Sequence, residues 1–123
     1  MPRIVAAYGV GRILNAKTAR SQLMGGIVYG LSMALHEHTA IDPRTGRYLN
    51  ADLSEYLVPI NRDVGDIDVL LVDERDDHVD PIGVKGIGEI GTTGVAAAIA
   101  NAVYHATGVR VRDLPITLDK LMT

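Results

Sequence analysis

The chain has no cysteine, no tryptophan and no phenylalanine. Without cysteine there is no disulfide framework, no thiolate metal ligand and no cysteine nucleophile. That fits a reducing compartment, so the cytoplasm is the expected location, with the periplasm as the alternative. Aromatic packing rests on five tyrosines, and the core has to be aliphatic. Excess positive charge is also lacking. The formal net charge is −3, which leaves no general basic field for nucleic acid. The longest apolar run, from Gly25 to Leu35, is interrupted by glycine and serine and falls short of the roughly 20 residues a bilayer span needs. No membrane partner is therefore expected. The first residues lack a signal-peptide core and read as a strand. A chain that begins in structure leads us to expect a fragment or a separately encoded piece.

What is present is glycine, 13 in 123 residues, concentrated rather than scattered. The length fits one domain with a modest core. Residues 3–8 form a β-like run closed by Gly9-Val10-Gly11. A helix is predicted over about 18–37, because Ala19, Leu23, Ile27, Leu31 and Ala34 recur at helical spacing. Met24, Val28 and Leu35 widen that apolar face, which predicts burial on more than one side. Gly25, Gly26 and Gly30 each cost such a helix about 1 kcal/mol, which points to close approach by another backbone or by a ligand.

Asp42-Pro43-Arg44-Thr45-Gly46 is a turn signature between extended stretches near residues 38–41 and 47–49. Residues 67–72 read as a strand. The acidic stretch 73–80 reads as a solvated loop, and Gly83-Val84-Lys85-Gly86-Ile87-Gly88-Glu89-Ile90-Gly91 follows it. Thr92 or Thr93 is expected to cap a second helix over 92–107, closed by Gly108. Residues 109–112 form a strand candidate, with Arg110 and Arg112 facing water or a partner subunit. Residues 117–122 form a last helical turn. The fold class is α+β: a single mixed domain, a small β-sheet packed with two long helices.

The glycine loop carries the strongest local signal. Glycine lets a backbone approach a ligand closely. Glu89 at a helix entrance reads in two ways, as a carboxylate complementing the helix dipole or as a functional acid. Gly86, Gly88 and Gly91 also satisfy G-x-G-x-x-G, with Asp113 further on, which would make a dinucleotide-binding module. Against that module, its glycines should follow a strand directly, and a carboxylate inside the loop repels pyrophosphate. The loop is not a P-loop, because Lys85 precedes Gly86. His36 and His38 are candidate metal ligands or simply a solvated helix end. Ser32 lies mid-helix, where a nucleophile elbow does not form.

Three blocks, in order, carry a family resemblance. The first is Tyr8-Gly9-Val10-Gly11-Arg12-Ile13-Leu14-Asn15 followed by Gln22-Leu23-Met24-Gly25-Gly26. The second is the Asp42–Gly46 turn signature with Glu55-Tyr56 and Pro59. The third is Gly83-Val84-Lys85-Gly86-Ile87-Gly88-Glu89, then Asn101-Ala102 and Leu114-Pro115-Ile116-Thr117. Together they resemble the C-terminal part of the molybdopterin-binding large subunit of the xanthine dehydrogenase/aldehyde oxidase family, the molybdenum hydroxylases. Two positions depart from its pattern: Met24 stands where Glu is usual, and Ala16 where Pro is usual.

The resemblance implies that residues 1–123 are a C-terminal portion of a molybdopterin-binding domain. It implies that Glu89 is the general base for oxidative hydroxylation of an aldehyde or N-heterocycle. Gln22, Gly25, Gly26, Gly86 and Gly88 are implied to lie at the molybdenum cofactor. The implied partners are the remainder of the molybdenum subunit and iron–sulfur and FAD subunits or domains. The chain alone is expected to bind no cofactor, to be inactive, and to self-associate through exposed apolar surface. A non-catalytic assembly piece is the remaining alternative.

Overall fold

The computed structural model describes residues 2–122. Its elements run β1 (Arg3–Gly9), α1 (Ala16–Leu35), β2 (Asp66–Val72) and α2 (Val95–Thr107), then a 3-10 turn at Leu118–Leu121. This is a small α+β arrangement with two helices and a two-stranded parallel sheet. The chain divides into two compact units, Met1–Tyr29 with Ile60–Thr93, and Gly30–Pro59 with Gly94–Thr123.

The first unit holds the sheet. β1 and β2 pair in parallel, with Arg3 opposite Asp66 and Gly9 opposite Val72. Parallel pairing requires a crossover between the strands, and here α1 lies within it. Alternation along the strands puts Tyr8 and Val69 in the core, with Val10, Ala19, Leu23 and Ile27 of the same unit. Each fully buried Leu or Ile contributes about 1.5–3 kcal/mol relative to exposure. The opposite row remains open to solvent: Val5, Leu70 and Val72 are about half exposed. Across that face the Arg3 guanidinium pairs with Asp68 at 2.6 Å.

The helical spacing read from the sequence is borne out, since Ala19, Leu23, Ile27, Leu31 and Ala34 are all buried. The wider apolar face is not buried as expected: Met24 and Met33 are exposed, and Val28 and Leu35 only half-buried. The helix bounds also move, from 18–37 to Ala16–Leu35. At the start, the Asn15 side-chain oxygen accepts the Thr18 N–H at 3.0 Å, an N-cap that sets the first turn. At the end, the N–H groups of His36 and Glu37 both donate to the Ser32 carbonyl at 2.9 Å, which closes the helix before Glu37.

In the second unit, Leu31, Ala34, Val95, Ile99 and Ile116 are buried. Gly30 admits Val95, whose Cβ would stand 2.6 Å from a Cβ at position 30. The Ile116 N–H donates to the Ala34 carbonyl at 2.7 Å and satisfies an orphan at the end of α1. α2 begins at Val95 rather than 92, and neither Thr92 nor Thr93 caps it. Its N-cap is Gly94 in the left-handed region, without a side-chain bond. Residues before it are drawn into short turns, with Thr92 N–H on the Glu89 carbonyl and Thr93 N–H on the Ile90 carbonyl. Gly108 closes α2 as expected, with φ 75 and its N–H on the Tyr104 carbonyl.

Residues 109–112 form no strand. Arg110 instead stacks 3.8 Å above the Tyr104 ring and donates to Asn101 at 2.8 Å, which ties this segment back to α2. The Asp42 turn forms as expected. Ile41 and Tyr48 bridge across it, and the Asp42 carboxylate accepts the Arg44 N–H at 2.9 Å.

Candidate functional site

The site is built from the segment after β1, the first turns of α1, and the glycine loop. All belong to the first unit. Gly11 bridges to Val84, and the Arg12 N–H donates to the Gly83 carbonyl at 2.7 Å. Gly11 has φ +64, and a Cβ there would stand 2.4 Å from the Gly83 carbonyl oxygen. Only glycine lets the two backbones meet at this distance.

Lys85 is held next. Its Nζ lies 2.6 Å from Glu74 Oε1 and 3.3 Å from Asp76 Oδ2. Glu74 Oε1 also accepts the Gly11 N–H at 3.2 Å. A side chain at Gly9 would collide with this carboxylate, at 2.7 Å. Hydrogen bonding to the Lys85 ammonium holds Glu74 below the usual carboxylate range. The His78 N–H, and then Lys85, do the same for Asp76. Lys85 is pushed up in turn, first by its bond to Glu74. The acidic stretch is a largely exposed loop, as expected, but two of its acids, the half-buried Glu74 and Asp76, fix the cation of the glycine loop. The sequence signal for this is a single lysine among glycines after a surplus of acids, visible only when the two segments are taken together.

The far end of the loop is fixed by packing. Gly91 is buried, and a Cβ on it would stand 2.6 Å from the Leu23 carbonyl oxygen and 3.1 Å from the Gly26 Cα. A Cβ on Gly26 would meet Gly91 backbone atoms at 2.8 Å. The Tyr8 hydroxyl donates to the Gly91 carbonyl at 3.2 Å. Burial pushes the Tyr8 phenol up, so it stays a neutral donor.

Between these anchors the loop is open. Gly86, Gly88 and Glu89 are exposed. A Cβ on Gly86, Gly88 or Gly25 would meet nothing within 4 Å. None of the three has positive φ. Among the described residues, neither packing nor a positive φ accounts for glycine at these positions. The Glu89 carboxylate makes no hydrogen bond or ion pair among the described residues. It precedes Val95, the first residue of α2, by more than a turn of sequence, so it is not a first-turn acid on that helix.

Gln22 is exposed on α1 and lines a cavity of about 220 Å³ with Val10, Asn15, Ala19, Lys85 and Ile87. The fold thus brings Gln22 to the glycine loop, while Gly26 is turned to Gly91 and Glu89 does not line this cavity. A larger cavity, about 660 Å³, lies between Arg12, Leu71, Arg75 and Ile82 and contains none of the expected site residues. The dinucleotide reading loses its geometry. β2 ends at Val72, α2 opens only at Val95, and Gly91, its third glycine, is buried against α1. Among the described residues no three His, Cys, Asp or Glu gather as a metal group, His36 and His38 included. Among the described residues no helix is long and apolar enough to cross a membrane.

Residues 1–65 match the family model of the molybdopterin cofactor-binding domain. The chain belongs to this molybdopterin cofactor-binding domain family. The aldehyde oxidoreductase molybdenum-binding subunit PaoC of Escherichia coli is 51% identical over 120 residues, which is 98% of this chain and 16% of the relative. The putative xanthine dehydrogenase molybdenum-binding subunit XdhA of the same organism is 37% identical over 119 residues, 97% of this chain and again 16% of the relative. The crystal structure of the aldehyde oxidoreductase from Desulfovibrio desulfuricans superposes with a TM-score of 0.86 at 29% identity, covering 98% of this chain and 13% of that one. The chain thus spans about a sixth of the length of these curated relatives. A molybdopterin-domain ligand needs surfaces where backbone can come close to it. Gly25, Gly86 and Gly88, left open by the packing of the described residues, fit that need, and Gln22 lines a cavity with Lys85 and Ile87 of the same loop.

Proposed function

We propose that this chain is the C-terminal portion of the molybdopterin-binding domain of a molybdenum hydroxylase large subunit. In that subunit it contributes Glu89 as the general base for oxidative hydroxylation of an aldehyde or N-heterocycle. Gln22 would donate from its amide to the cofactor. Gly25, Gly86 and Gly88 would admit it, with Gly26 behind them holding the loop through Gly91. The molybdenum cofactor, when bound, supplies the redox chemistry of the hydroxylation. Its electron acceptors are iron–sulfur and FAD partner subunits in a cytoplasmic complex.

The observation that carries this reading is the state of Glu89. Its carboxylate is exposed and unpaired among the described residues, on a loop held at Lys85 on one side and at Gly91 on the other. Glu74, by contrast, is engaged by the Lys85 ammonium and the Gly11 N–H. Glu89 instead stands on backbone whose neighbouring glycines leave room for another molecule. The exposed row Val5, Leu70 and Val72 supports the fragment reading, because parallel sheets are ordinarily covered on both faces. The chain by itself is accordingly inactive, and self-associates through such surfaces.

Glu89→Gln keeps the size and hydrogen-bonding capacity of the side chain but removes its basicity. In the complete subunit, loaded with cofactor and joined to its partners, turnover should fall about 10²–10⁴-fold, or about 3–5 kcal/mol of barrier. Molybdenum content should be unchanged. A near-normal rate would remove the base assignment.

A further inference from the structure

We infer that Lys85 and Glu74 are positioning residues for Glu89, an inference that rests on the base reading above. The glycine loop is anchored at Lys85 and at Gly91; between them the Glu89 carbonyl accepts the Thr92 N–H at 3.0 Å and Ile87 is half-buried. At Gly91 the anchor is steric, formed by backbone contact with α1 and the Tyr8 hydroxyl bond. At Lys85 it is electrostatic: the ammonium sits between Glu74 at 2.6 Å and Asp76 at 3.3 Å. Glu74 extends this anchor to the segment after β1 by accepting the Gly11 N–H, beside the Arg12 N–H bond to Gly83.

Glu89 is held only through its backbone, by the Thr92 N–H on its carbonyl. Its side chain lacks a partner among the described residues, and Gly86 and Gly88 have no side chains with which to lock the intervening backbone. Beside that backbone bond, the path of the chain into Glu89 is set from the two ends of the loop, and the Lys85 end depends on charge. A displaced base loses rate steeply, since about 1 Å of misplacement can cost on the order of 10²-fold.

Two measurements test this. The first is a double-mutant cycle in the complete, cofactor-loaded enzyme. Glu74→Gln should lower kcat by about 10- to 100-fold with KM and molybdenum content unchanged. Lys85→Arg, which keeps the ion pairs, should retain most of kcat. In a Glu89→Gln background, Glu74→Gln should lower kcat less than about twofold, because coupled residues are non-additive. A full loss in that background, or a loss confined to KM or molybdenum content, would overturn the inference.

The second is ¹⁵N relaxation of this chain. Order parameters at Gly86, Ile87, Gly88 and Glu89 should drop from about 0.85 towards 0.6 in Glu74→Gln and in Lys85→Met. Gly91 should keep its value. Unchanged values along the loop would overturn the positioning role even if Glu89 is the base. A normal rate in Glu89→Gln, with order parameters that do fall, would overturn the base reading and with it the catalytic meaning of the clamp.

Discussion

The two ends of the glycine loop and its middle have similar composition and opposite structural status. At the ends, Gly91 is glycine because the backbone of α1 leaves no room for a side chain, and Lys85 is engaged by two carboxylates. In the middle, Gly86 and Gly88 face open space, and the Glu89 carboxylate makes no bond among the described residues. The ends are explained by the chain itself. No contact among the described residues requires glycine in the middle. A glycine-rich motif can thus contain two kinds of glycine, one required by packing within the fold and one that such packing does not require. The atoms that an added Cβ would meet tell them apart.

This contrast can be broken by substitution. Beside the loss of turnover expected for Glu89→Gln, the next largest effect should come from Gly91→Ala. Its methyl would stand 2.6 Å from the Leu23 carbonyl, and backbone cannot yield cheaply there. Urea unfolding of the chain should show a loss of about 1–3 kcal/mol, the usual range for overpacking. A loss below about 0.5 kcal/mol, typical of neutral surface sites, would erase the distinction between end and middle.

A smaller effect should follow pH. The folded pKa values of Glu74 and Asp76 are depressed, so their stabilisation is fully present above the ordinary values of 4.5 and 3.8 and is lost as pH falls through the folded ones. Lys85 is raised above 10.5, so its share is present below that value and lost as pH rises through the folded one. The clamp is thus whole across the neutral range. These groups are partly exposed and screened by solvent, so the change should be modest. Unfolding midpoints measured at pH 6 and pH 3.5 should differ more in the wild-type chain than in Glu74→Gln. Equal differences would show that the clamp contributes nothing to the fold.

Much of this was legible in the sequence where a single physical rule acts locally. The spacing of Ala19, Leu23, Ile27, Leu31 and Ala34 located the buried face of α1, and Gly108 the end of α2. What was not legible depends on partners distant in sequence. Gly26 could be read as facing a ligand, and only the fold sets it against Gly91. The acids at 74 and 76 read as solvated until the register of β1 and β2 brought Gly11 and Lys85 beside them. The start of α2 moved from 92 to 95 because short turns and Gly94 compete with threonine capping. Arg110 and Arg112 alternate as on a strand, but the Tyr104 ring and Asn101 offered Arg110 nearer partners.

On the proposed reading, the middle of the loop is kept open for the molybdenum cofactor rather than for the fold. Gly88→Ala tests this most directly, through two readouts of one substitution. The unfolding midpoint of the chain should stay within about 0.5 kcal/mol of wild type, since a Cβ there meets nothing within 4 Å. Molybdenum content of the complete subunit should fall. Unchanged molybdenum content together with unchanged turnover, or a clear loss of stability in the chain alone, would contradict the reading.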